Sequence, residues 1–560
     1  MNDKEKESNF IFSYIDKDLE DGIYANNRVH TRFPPEPNGY LHIGHAKSSL
    51  LNYRTALKYH GTFNLRFDDT NPEKEDMEYV NAIKRDLKWL GIEWGENEFF
   101  ASSYFPKMIE FAKEYIEKGV AYVDDQDMET IKQTRGTLTS PGVESPYRNR
   151  SVEENMQLFQ DMIDGKVAEG EKVLRAKIDM ANPNMNMRDP IIYRVRHLVH
   201  PSLNKEWHVY PMYDFAHPVE DAIEGITHSL CTLEFEDHRP LYNWFLENLD
   251  EFQNEPPRQI EFAKLNLSKT IMGKRYIKKL VDEGVIDGWD DPRLATISGL
   301  RRRGYTPEAI QNFCEEIGVA KANSTVDTAM LEHFIRDDLK TKAPRYNCVI
   351  HPLKVTITNW PEDKVEWLTI ETNQDVEEMG THKVPFTREL YVEQYDFMKE
   401  PIKKYFRLYP GNEVRFRGAY FITCQDYVED EEGNVVELKC TYDPETKCGT
   451  GFKGRKVKGT IHWVSATEGK PVEIHMFDSL LKDDSRYTLD NIVEKVNQNS
   501  LEICHGYAEP EALKMKPFEK AQFVRNGYFS VDPKYSKPEH PVFNQVVPLK
   551  SKWRPPKKNK

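Results

Sequence analysis

The sequence predicts a multidomain protein in which an α/β domain is followed by a helical region and a C-terminal half made of β-strands. Three observations support this fold class. The chain has 560 residues, which is too long for one hydrophobic core. Strand and helix patterns alternate in the first half. After Pro344, short β-rich segments separated by Gly and acidic turns dominate. We therefore expect three or four domains.

The α/β pattern is clearest near the N-terminus. Extended and helical segments alternate there, in the order strand 27–33, helix 43–59, strand 63–67 and helix 77–90. Repeats of this kind form a parallel sheet covered by helices. The same texture returns at residues 211–270. Residues 101–210 are less regular, and we expect them to be an insertion that separates residues 26–100 from 211–270 of one sheet domain.

The other boundaries follow from changes in texture. Residues 1–25 are predicted to be an N-terminal extension, and residues 271–340 have helical patterns. Residues 341–560 are predicted to be all-β, arranged as barrels, and to end in a basic tail. A GxGxxG sequence at 449–454 has no strand directly before it and no helix after it, as a dinucleotide site would require. We interpret it as a loop between strands.

Charge and composition exclude several classes of protein. The formal net charge of -15 argues against a generally basic, nucleic-acid-binding surface. RNA contacts would be confined to local basic patches, which could equally be solvated faces. These patches are Arg301–Arg303, residues 453–458, and the six basic residues among the last twenty.

The expected compartment follows from the cysteines and from the lack of membrane signals. Seven cysteines without a CxxC pair argue against a thiolate zinc site and favour a reducing cytoplasm. No apolar run approaches 18 residues, and the N-terminus lacks the apolar stretch of a signal peptide. We expect a cytoplasmic protein without a membrane anchor.

The first candidate site is the segment His42-Ile43-Gly44-His45. Two histidines three residues apart share one face at the start of a predicted helix, directly after a Pro- and Gly-rich loop. A helix N-terminus offers unpaired N–H groups to phosphate oxygens, and imidazoles can stabilise charge that develops there. The tetrapeptide alone could arise by chance. A zinc site is less favoured, because no third ligand is near in sequence.

The longer string decides between these alternatives. Residues 35–47, PEPNGYLHIGHAK, resemble the first signature of the class I aminoacyl-tRNA synthetases in their glutamyl/glutaminyl form. Met272-Gly273-Lys274 stands where this family has its second signature, Met-Ser-Lys, with Gly273 in place of the serine. This change removes a hydroxyl donor and adds backbone freedom, while the glycine N–H remains available to a phosphate.

The resemblance covers roughly residues 10–550 and implies a fold and a reaction. The fold would be a Rossmann-type catalytic domain with an insertion that binds the acceptor end, a helical subdomain, and two anticodon-binding β-barrels. The reaction would be ATP-dependent ligation of an amino acid to tRNA through an adenylate, with Mg²⁺ accompanying ATP and no protein side chain binding a metal. His42, His45 and Lys274 would be the catalytic residues. The implied ATP-binding residues are Glu36, Pro37, Asn38, His42, Ile43, Gly44, His45, Ala46, Lys47, Ser48, Thr232, Lys264, Leu265, Met272, Gly273 and Lys274.

The amino-acid pocket follows from a strand end and from the resemblance. Asp68 comes directly after a predicted strand, where ligands bind in open α/β sheets, and a carboxylate there can hold a substrate ammonium group. A helix-capping role is the alternative, and Asp69 in particular could be that cap. The resemblance assigns Asp68 and Tyr213 to the α-amino group and places Arg32 nearby. Cys231 stands where glutamyl enzymes carry an arginine, which favours L-glutamine and tRNA(Gln) as substrates.

Further positions match tRNA contacts of the family. Leu138 matches a leucine that wedges into the end of the acceptor stem, and Asp237 matches a stem-reading residue. Arg345, Arg407 and Gln522 match anticodon-reading positions, where forked donors suit base edges. A monomer is expected.

Three alternatives stay open. They are a glutamyl enzyme of the same architecture, a catalytically silent RNA-binding relative suggested by Gly273, and a nucleotidyltransferase for a small metabolite. The last would leave the long β half without a role.

Overall fold

The computed structural model describes residues 9–73, 76–203 and 205–550. The last ten residues of the predicted basic tail lie outside this range. The described residues form two compact units, one of residues up to 266 with 314–325, and one of residues 267–313 with those from 326 onward. Among the described residues, no helix combines the length and the apolar content needed to cross a bilayer.

The first unit contains two groups of parallel strands that are far apart in sequence. They are β1 His30–Phe33, β2 Thr62–Phe67 and β3 Glu98–Phe100, which form a three-stranded sheet, and β8 His228–Thr232 and β9 Arg258–Phe262, which form a two-stranded sheet. β1, β2 and β3 pair in parallel, as do β8 and β9. The Thr227 N–H donates to the carbonyl of His30, at 2.9 Å, which joins the two groups. Parallel pairing in both segments agrees with the sequence prediction.

Helices surround these strands. They are α1 Phe10–Glu20, α2 Ile43–Lys58, α3 Met77–Trp89, α4 Phe105–Glu117, α7 Tyr213–Ile223 and α8 Arg239–Glu247. Asp76 caps α3 by accepting from the N–H of Glu78 at 2.8 Å. The sequence suggested Asp69 as a possible helix cap, and this is wrong. The Asp69 carboxylate accepts instead from the N–H and the hydroxyl of Ser102, each at 2.7 Å.

The segment expected to be irregular is more ordered than its sequence indicates. It contains an antiparallel sheet of β4 Ala121–Asp124, β5 Val173–Ala176, β6 Ile191–His200 and β7 Lys205–Pro211, with helices α5 Met128–Thr134 and α6 Val152–Ile163. β4 and β5 have four residues each and are separated by two helices, and irregular register interrupts the pairing of β6 with both neighbours, so the alternation that identifies a sheet in sequence is hidden. Leu174, Tyr193 and Val209 join the core that also holds Phe215 and Phe245 of α7 and α8.

The second unit begins with helices. They are α9 Lys274–Asp282, α10 Ile297–Arg303 and α12 Thr328–Lys342; α11 Pro307–Ile317 and the short strands β10 Leu265–Leu267 and β11 Ser324–Val326 lie where the two units divide the chain. Arg302 of α10 is buried and ion-paired with Asp532 and Asp287, at 3.1 and 2.7 Å. Arg302 therefore stabilises the fold, and neither interpretation of residues 301–303, an RNA contact or a solvated face, holds for it.

Two seven-stranded, barrel-like sheets complete the second unit. The first has the order β21-β18-β19-β20-β14-β17-β22 and the second β12-β25-β26-β27-β23-β24-β13, with a separate hairpin of β15 and β16. The strands are β12 Arg345–Tyr346, β13 Cys348–Val349, β14 Pro352–Ile357, β15 Glu366–Glu371, β16 Thr381–Phe386, β17 Glu389–Glu393, β18 Glu413–Phe416, β19 Phe421–Glu429, β20 Val435–Asp443, β21 Thr460–Ile461, β22 Val464–Ser465, β23 Lys470–Phe477, β24 Leu501–Ala508, β25 Lys520–Phe523, β26 Gly527–Val531 and β27 Val542–Pro548. A short helix, α13 Ile492–Lys495, precedes β24. Residues 449–454 form a loop between β20 and β21, as expected.

The N-terminal segment is part of the sheet domain. Ile11 and Ile15 of α1 are fully buried and pack in one cluster with residues of β8 and β9. Asp18 ties the helix to both strands, because its carboxylate contacts the Arg258 guanidinium at 2.5 Å and the His228 ring at 3.3 Å. Burial lowers the pKa of His228 to about 4.

Candidate active site

The start of α2 is shaped by the two histidines. His42 is the cap of the helix: its Nδ1 accepts from the N–H of Gly44, and its own N–H donates to Nδ1 of His45, each at 3.1 Å. The two rings stack with centroids 3.8 Å apart. This arrangement fixes both imidazoles at the N-terminus of the helix, whose positive dipole end favours a phosphate.

Gly44 is required by close packing in this turn. A Cβ at Gly44 would lie 2.9 Å from Cε1 of the His42 ring and 3.6 Å from the carbonyl of Leu265. Any side chain here would displace His42. The glycine also leaves the carbonyl of Leu265 next to the helix start, so two segments that were matched to the ATP site adjoin each other.

The neighbouring ATP-site candidates are held by backbone and carboxylate partners. Lys47 is buried and donates to the carbonyl of Ala263 at 3.1 Å, and burial lowers its pKa. Lys264 instead reaches outward, and its ammonium pairs with Glu234 at 2.6 Å. Thr232 is the last residue of β8 and leads into a 3-10 helix.

The loop before α2 is fixed against the end of β2. The Asp68 N–H donates to the carbonyl of Pro35 at 3.1 Å, and the Asp76 N–H donates to the carbonyl of Pro37 at 3.2 Å. Within the loop, the Asn38 side chain donates to the carboxylate of Glu36. The loop thereby places Glu36 near Asp68.

Asp68 is a buried carboxyl at the carboxyl end of β2. It accepts from the Thr70 hydroxyl at 2.8 Å. Burial, together with the negative charge of Glu36, raises its pKa to about 6. A substrate ammonium group placed beside it would stabilise the charged form.

Tyr213, the first residue of α7, brings the glutamine-site candidates together. Burial is the main cause that raises the pKa of the Tyr213 hydroxyl well above the usual value. Asp68 and Cys231 raise this pKa further, and the positive charge of Arg32 lowers it. The Tyr213 ring lies 5.3 Å from the ring of His217, whose Nε2 is 2.5 Å from the Arg32 guanidinium, so His217 links Tyr213 to Arg32. Cys231, near the end of β8, is half-buried, and burial raises the pKa of its thiol, so it is neutral.

Beneath this group lies a buried charge network that sequence reasoning missed. Arg32 pairs with Asp221 through Nε at 2.9 Å, and also donates to Ser229 and the carbonyl of Leu230. Burial alone would raise the pKa of Asp221, but the charge of Arg32 and its neighbours holds it well below the usual value. Asp221 therefore already balances the charge of Arg32.

A second buried arginine shares the same partner. Arg66 of β2 pairs with Asp221, Glu220 and Glu224 at 2.8, 2.9 and 3.1 Å. All three carboxylates lie on or directly after α7. Their i, i+1 and i+4 spacing was the available signal, since a helix pattern carried acids at positions where a covered helix needs apolar residues.

The Met272–Lys274 segment lies in the second unit and is described within it. Gly273 caps α9 without a side-chain bond and has a φ of −74°, which any residue can adopt. A Cβ there would lie 2.7 Å from Cδ2 of Tyr276, whose ring packs against Tyr487 at 4.9 Å. The backbone conformation would accept the family's serine, but the Tyr276 ring would have to shift to make room for it.

Leu138 stands at the tip of a rigid hairpin. It is 80% exposed, and the flanking Thr137 and Ser140 exchange backbone hydrogen bonds at 3.1 and 3.3 Å. Arg188, which is buried, donates to the carbonyls of Arg135, Thr137 and Ser140 at 2.9–3.0 Å. An ordered turn thus holds an apolar side chain in water, where a binding partner could contact it.

Asp237 is held by its backbone. Its carbonyl accepts from the side chains of Asn184 and Asn186, at 2.7 and 3.2 Å. These bonds link the 3-10 helix after β8 to the inserted segment. The residue itself is exposed.

The three anticodon candidates fall in two places. Arg345 and Gln522 are directly paired between β12 and β25 of the second barrel, and Arg345 forms an ion pair with Asp375. Arg407 lies apart from them, in the first barrel, where its Nε is 3.4 Å from the carboxylate of Asp396.

Tyr395 and Arg525 complete the surroundings of Arg407 and were not identified from the sequence. Tyr395 is partly exposed, with the guanidinium groups of Arg407 and Arg525 at 5.0 and 5.7 Å from its ring centroid. Arg525 binds the buried Asp396 through two contacts of 2.7 Å. An exposed tyrosine flanked by two arginines is suited to stacking on a base. Single residues at turns carry no periodic pattern by which to find them.

Comparison with known proteins identifies the family. A model described as "tRNA synthetases class I (E and Q), catalytic domain" matches residues 28–341. Two models described as their anti-codon binding domains match residues 343–443 and 460–532.

Curated relatives match over the whole chain. The chain is 58% identical to a glutamine–tRNA ligase of Clostridioides difficile over 100% of both chains. It is 57% identical to one of Clostridium perfringens over 99% of this chain and 100% of the relative. It is 51% identical to one of Pseudomonas syringae pv. tomato over 98% and 96%. The chain therefore belongs to the class I tRNA synthetases of the E and Q type.

Proposed function

We propose that this protein ligates L-glutamine to the 3′ end of tRNA(Gln), using ATP and passing through a glutaminyl-adenylate, with release of AMP and diphosphate. The names of the full-length relatives support this reaction. The observation that carries the choice of amino acid is the pairing of Arg32 with Asp221. A glutamate side chain needs an uncompensated cation, whereas a neutral amide does not.

The amino acid would be held by Asp68 and Tyr213 at its ammonium group, with Arg32 and the neutral thiol of Cys231 beside its side chain. ATP would lie at the start of α2, with contacts from residues 36–48, Thr232, Lys264 and Leu265 and from the Met272–Lys274 loop. Such a site acts mainly by positioning its reactants.

The chemistry then needs two transfers. A carboxylate oxygen of glutamine attacks the α-phosphorus of ATP, and diphosphate leaves while His42, His45 and Lys274 stabilise the developing charge. A ribose hydroxyl of the terminal adenosine attacks the adenylate carbonyl, and AMP leaves. Mg²⁺ would arrive bound to the ATP phosphates, whose charge it neutralises.

The tRNA would contact both units. Leu138 would wedge into the end of the acceptor stem and Asp237 would read the stem. Arg345, Arg407 and Gln522 would read the anticodon, in domains whose family models are described as anti-codon binding. We further propose a cytoplasmic monomer.

The purified protein tests the substrate directly. With tRNA(Gln) and ATP, we expect rapid charging with glutamine and very little with glutamate. Charging with glutamate alone would identify a glutamyl enzyme. tRNA binding without charging by either amino acid would identify a silent relative.

Two substitutions test the ATP site. His45→Ala and Lys274→Ala are each expected to slow aminoacylation by about 10²-fold or more, since each removes a group that stabilises transition-state charge. The Kd for tRNA should change little. Lys278→Ala, which removes an exposed lysine one turn along α9, is the matched control. Near-normal rates for both variants would overturn the site assignment.

The raised pKa of Asp68 predicts a pH dependence. The carboxyl is charged above about pH 6 and neutral below it, so kcat/KM for glutamine should fall as the pH drops through 6. Glu36→Gln removes a negative neighbour and should move this fall to lower pH. Asp68→Asn should lower kcat/KM at all pH values and abolish the fall. A fall at an unchanged pH in Glu36→Gln would contradict the assignment.

Gly273→Ser restores the family's serine but brings its Cβ against Tyr276. We expect the variant to remain active, at a rate within about tenfold of the unsubstituted protein, because the ring can shift while the hydroxyl caps α9. Gly273→Ala carries the same Cβ without the hydroxyl, so it separates the effect of the Cβ against Tyr276 from the effect of the capping hydroxyl. A folded but inactive Gly273→Ser would contradict this expectation.

A further inference from the structure

Two cysteines face each other inside the first barrel. The register of β19 and β20 places Cys424 directly opposite Cys440. Both side chains are buried in the core of this barrel. They are remote in sequence from every residue assigned to the reaction, and nothing proposed above uses them.

Backbone hydrogen bonds show which kind of cross-strand pair they form. The Cys424 N–H donates to Asn412 at 3.1 Å, and its carbonyl accepts from Gly411 at 2.8 Å, so both groups point away from β20. The Cys440 carbonyl accepts from Thr358 at 2.8 Å and points away from β19. The two cysteines are therefore a non-hydrogen-bonded pair of an antiparallel ladder.

This pairing has the right spacing for a covalent link. Opposed residues in a non-hydrogen-bonded pair have Cα atoms about 4.5 Å apart and their side chains at their closest. A disulfide spans Cα separations of about 4.4–6.8 Å. A bulge follows at once, between Cys424 and Asp426, and gives the strand local freedom to adjust.

The chemistry of the pair agrees with its geometry. A hydrogen bond with Cys440 lowers the pKa of Cys424 below its usual value, although burial acts in the opposite direction. The same interaction raises the pKa of the partner thiol, Cys440. Cys424 is therefore the more readily ionised of the two thiols. Its Sγ also donates to the carbonyl of Asp426, at 3.7 Å, within the bulge.

We propose that Cys424 and Cys440 are a dithiol–disulfide site that closes when the protein meets hydrogen peroxide. The Cys424 thiolate attacks one peroxide oxygen, the O–O bond breaks, and hydroxide leaves and takes up a proton. The Cys440 sulfur then attacks the resulting sulfenic acid, the S–O bond breaks, and water leaves with the Cys440 proton. Two thiols and one peroxide give one disulfide and two waters.

The site is reversible and built into the fold. Because the two strands are already paired, closing the bond moves only the two sulfur atoms and the adjoining bulge. The link would fix β19 to β20 in a domain matched as anti-codon binding. In a reducing compartment the dithiol form would prevail, with the disulfide forming under oxidation.

The test uses the full chain with Cys448→Ser, which removes an exposed and competing thiol. After peroxide treatment, titration in denaturant should find two fewer thiols, and the mass should fall by about 2 Da as two hydrogens leave. Peptide mapping should recover a cross-link between residues 424 and 440. Dithiothreitol should restore both thiols.

Further serine variants test whether Cys424 and Cys440 are the two thiols that are lost. Adding Cys424→Ser or Cys440→Ser should abolish the loss of the thiol pair, whereas Cys504→Ser, another buried cysteine, should not. Peptide mapping of the chain with both cysteines intact keeps the test valid if a variant folds poorly. An unchanged thiol count, a cross-link elsewhere, or oxygen added without a cross-link would each overturn the proposal.

Discussion

The first unit depends on the ion pairs that the buried carboxylate of Asp221 forms. This carboxylate lies on α7 and receives Arg32 from β1 and Arg66 from β2, while Arg32 also bonds to Ser229 and Leu230 of β8. One buried anion thus connects both groups of parallel strands, which are separated by more than a hundred residues of sequence. Leaving either guanidinium unpaired in this interior would be strongly destabilising.

The same anion determines the chemistry above it. Because Asp221 balances the charge of Arg32, the surface offered to an amino-acid side chain carries no spare positive charge. The neutral thiol of Cys231 adds none. Selection against a charged side chain would then come from an internal ion pair as much as from the residues that touch the substrate. The proposed partner of the substrate ammonium group is Asp68, whose carboxyl has a pKa raised to about 6, and a cation beside it would stabilise the charged form.

Much of the fold could be predicted because its patterns are local. The strands and helices between His30 and Trp89 follow from periodicity, and the bounds of α2 differ by one residue from the prediction. The sheet of β4–β7 was not foreseen, because β4 and β5 are short and register shifts break the alternation along β6. The long strands β23 and β24 were also not identified, since pairing across the chain defines them more than composition does.

The residues of the candidate site also differ in whether the sequence could reveal them. The residues in contiguous motifs, such as His42 and His45, could be found because capping and signature coincide at one helix start. Asp221, Tyr395 and Arg525 could not, because their roles come from partners far away in sequence. The reason for Gly273 was also hidden: only the structure shows Tyr276 occupying the space that a serine would need.

The docking of α1 has a consequence for how the protein is made. Asp18 bonds to Arg258, which lies 240 residues later in the chain. At a synthesis rate of roughly 5–20 residues per second, the helix leaves the ribosome about 12–48 s before its strand partner exists. During that time Ile11 and Ile15 lack Ile260 and Phe262, which cover them in the folded protein. The newborn chain therefore carries a helix whose apolar face is only partly covered until β9 emerges.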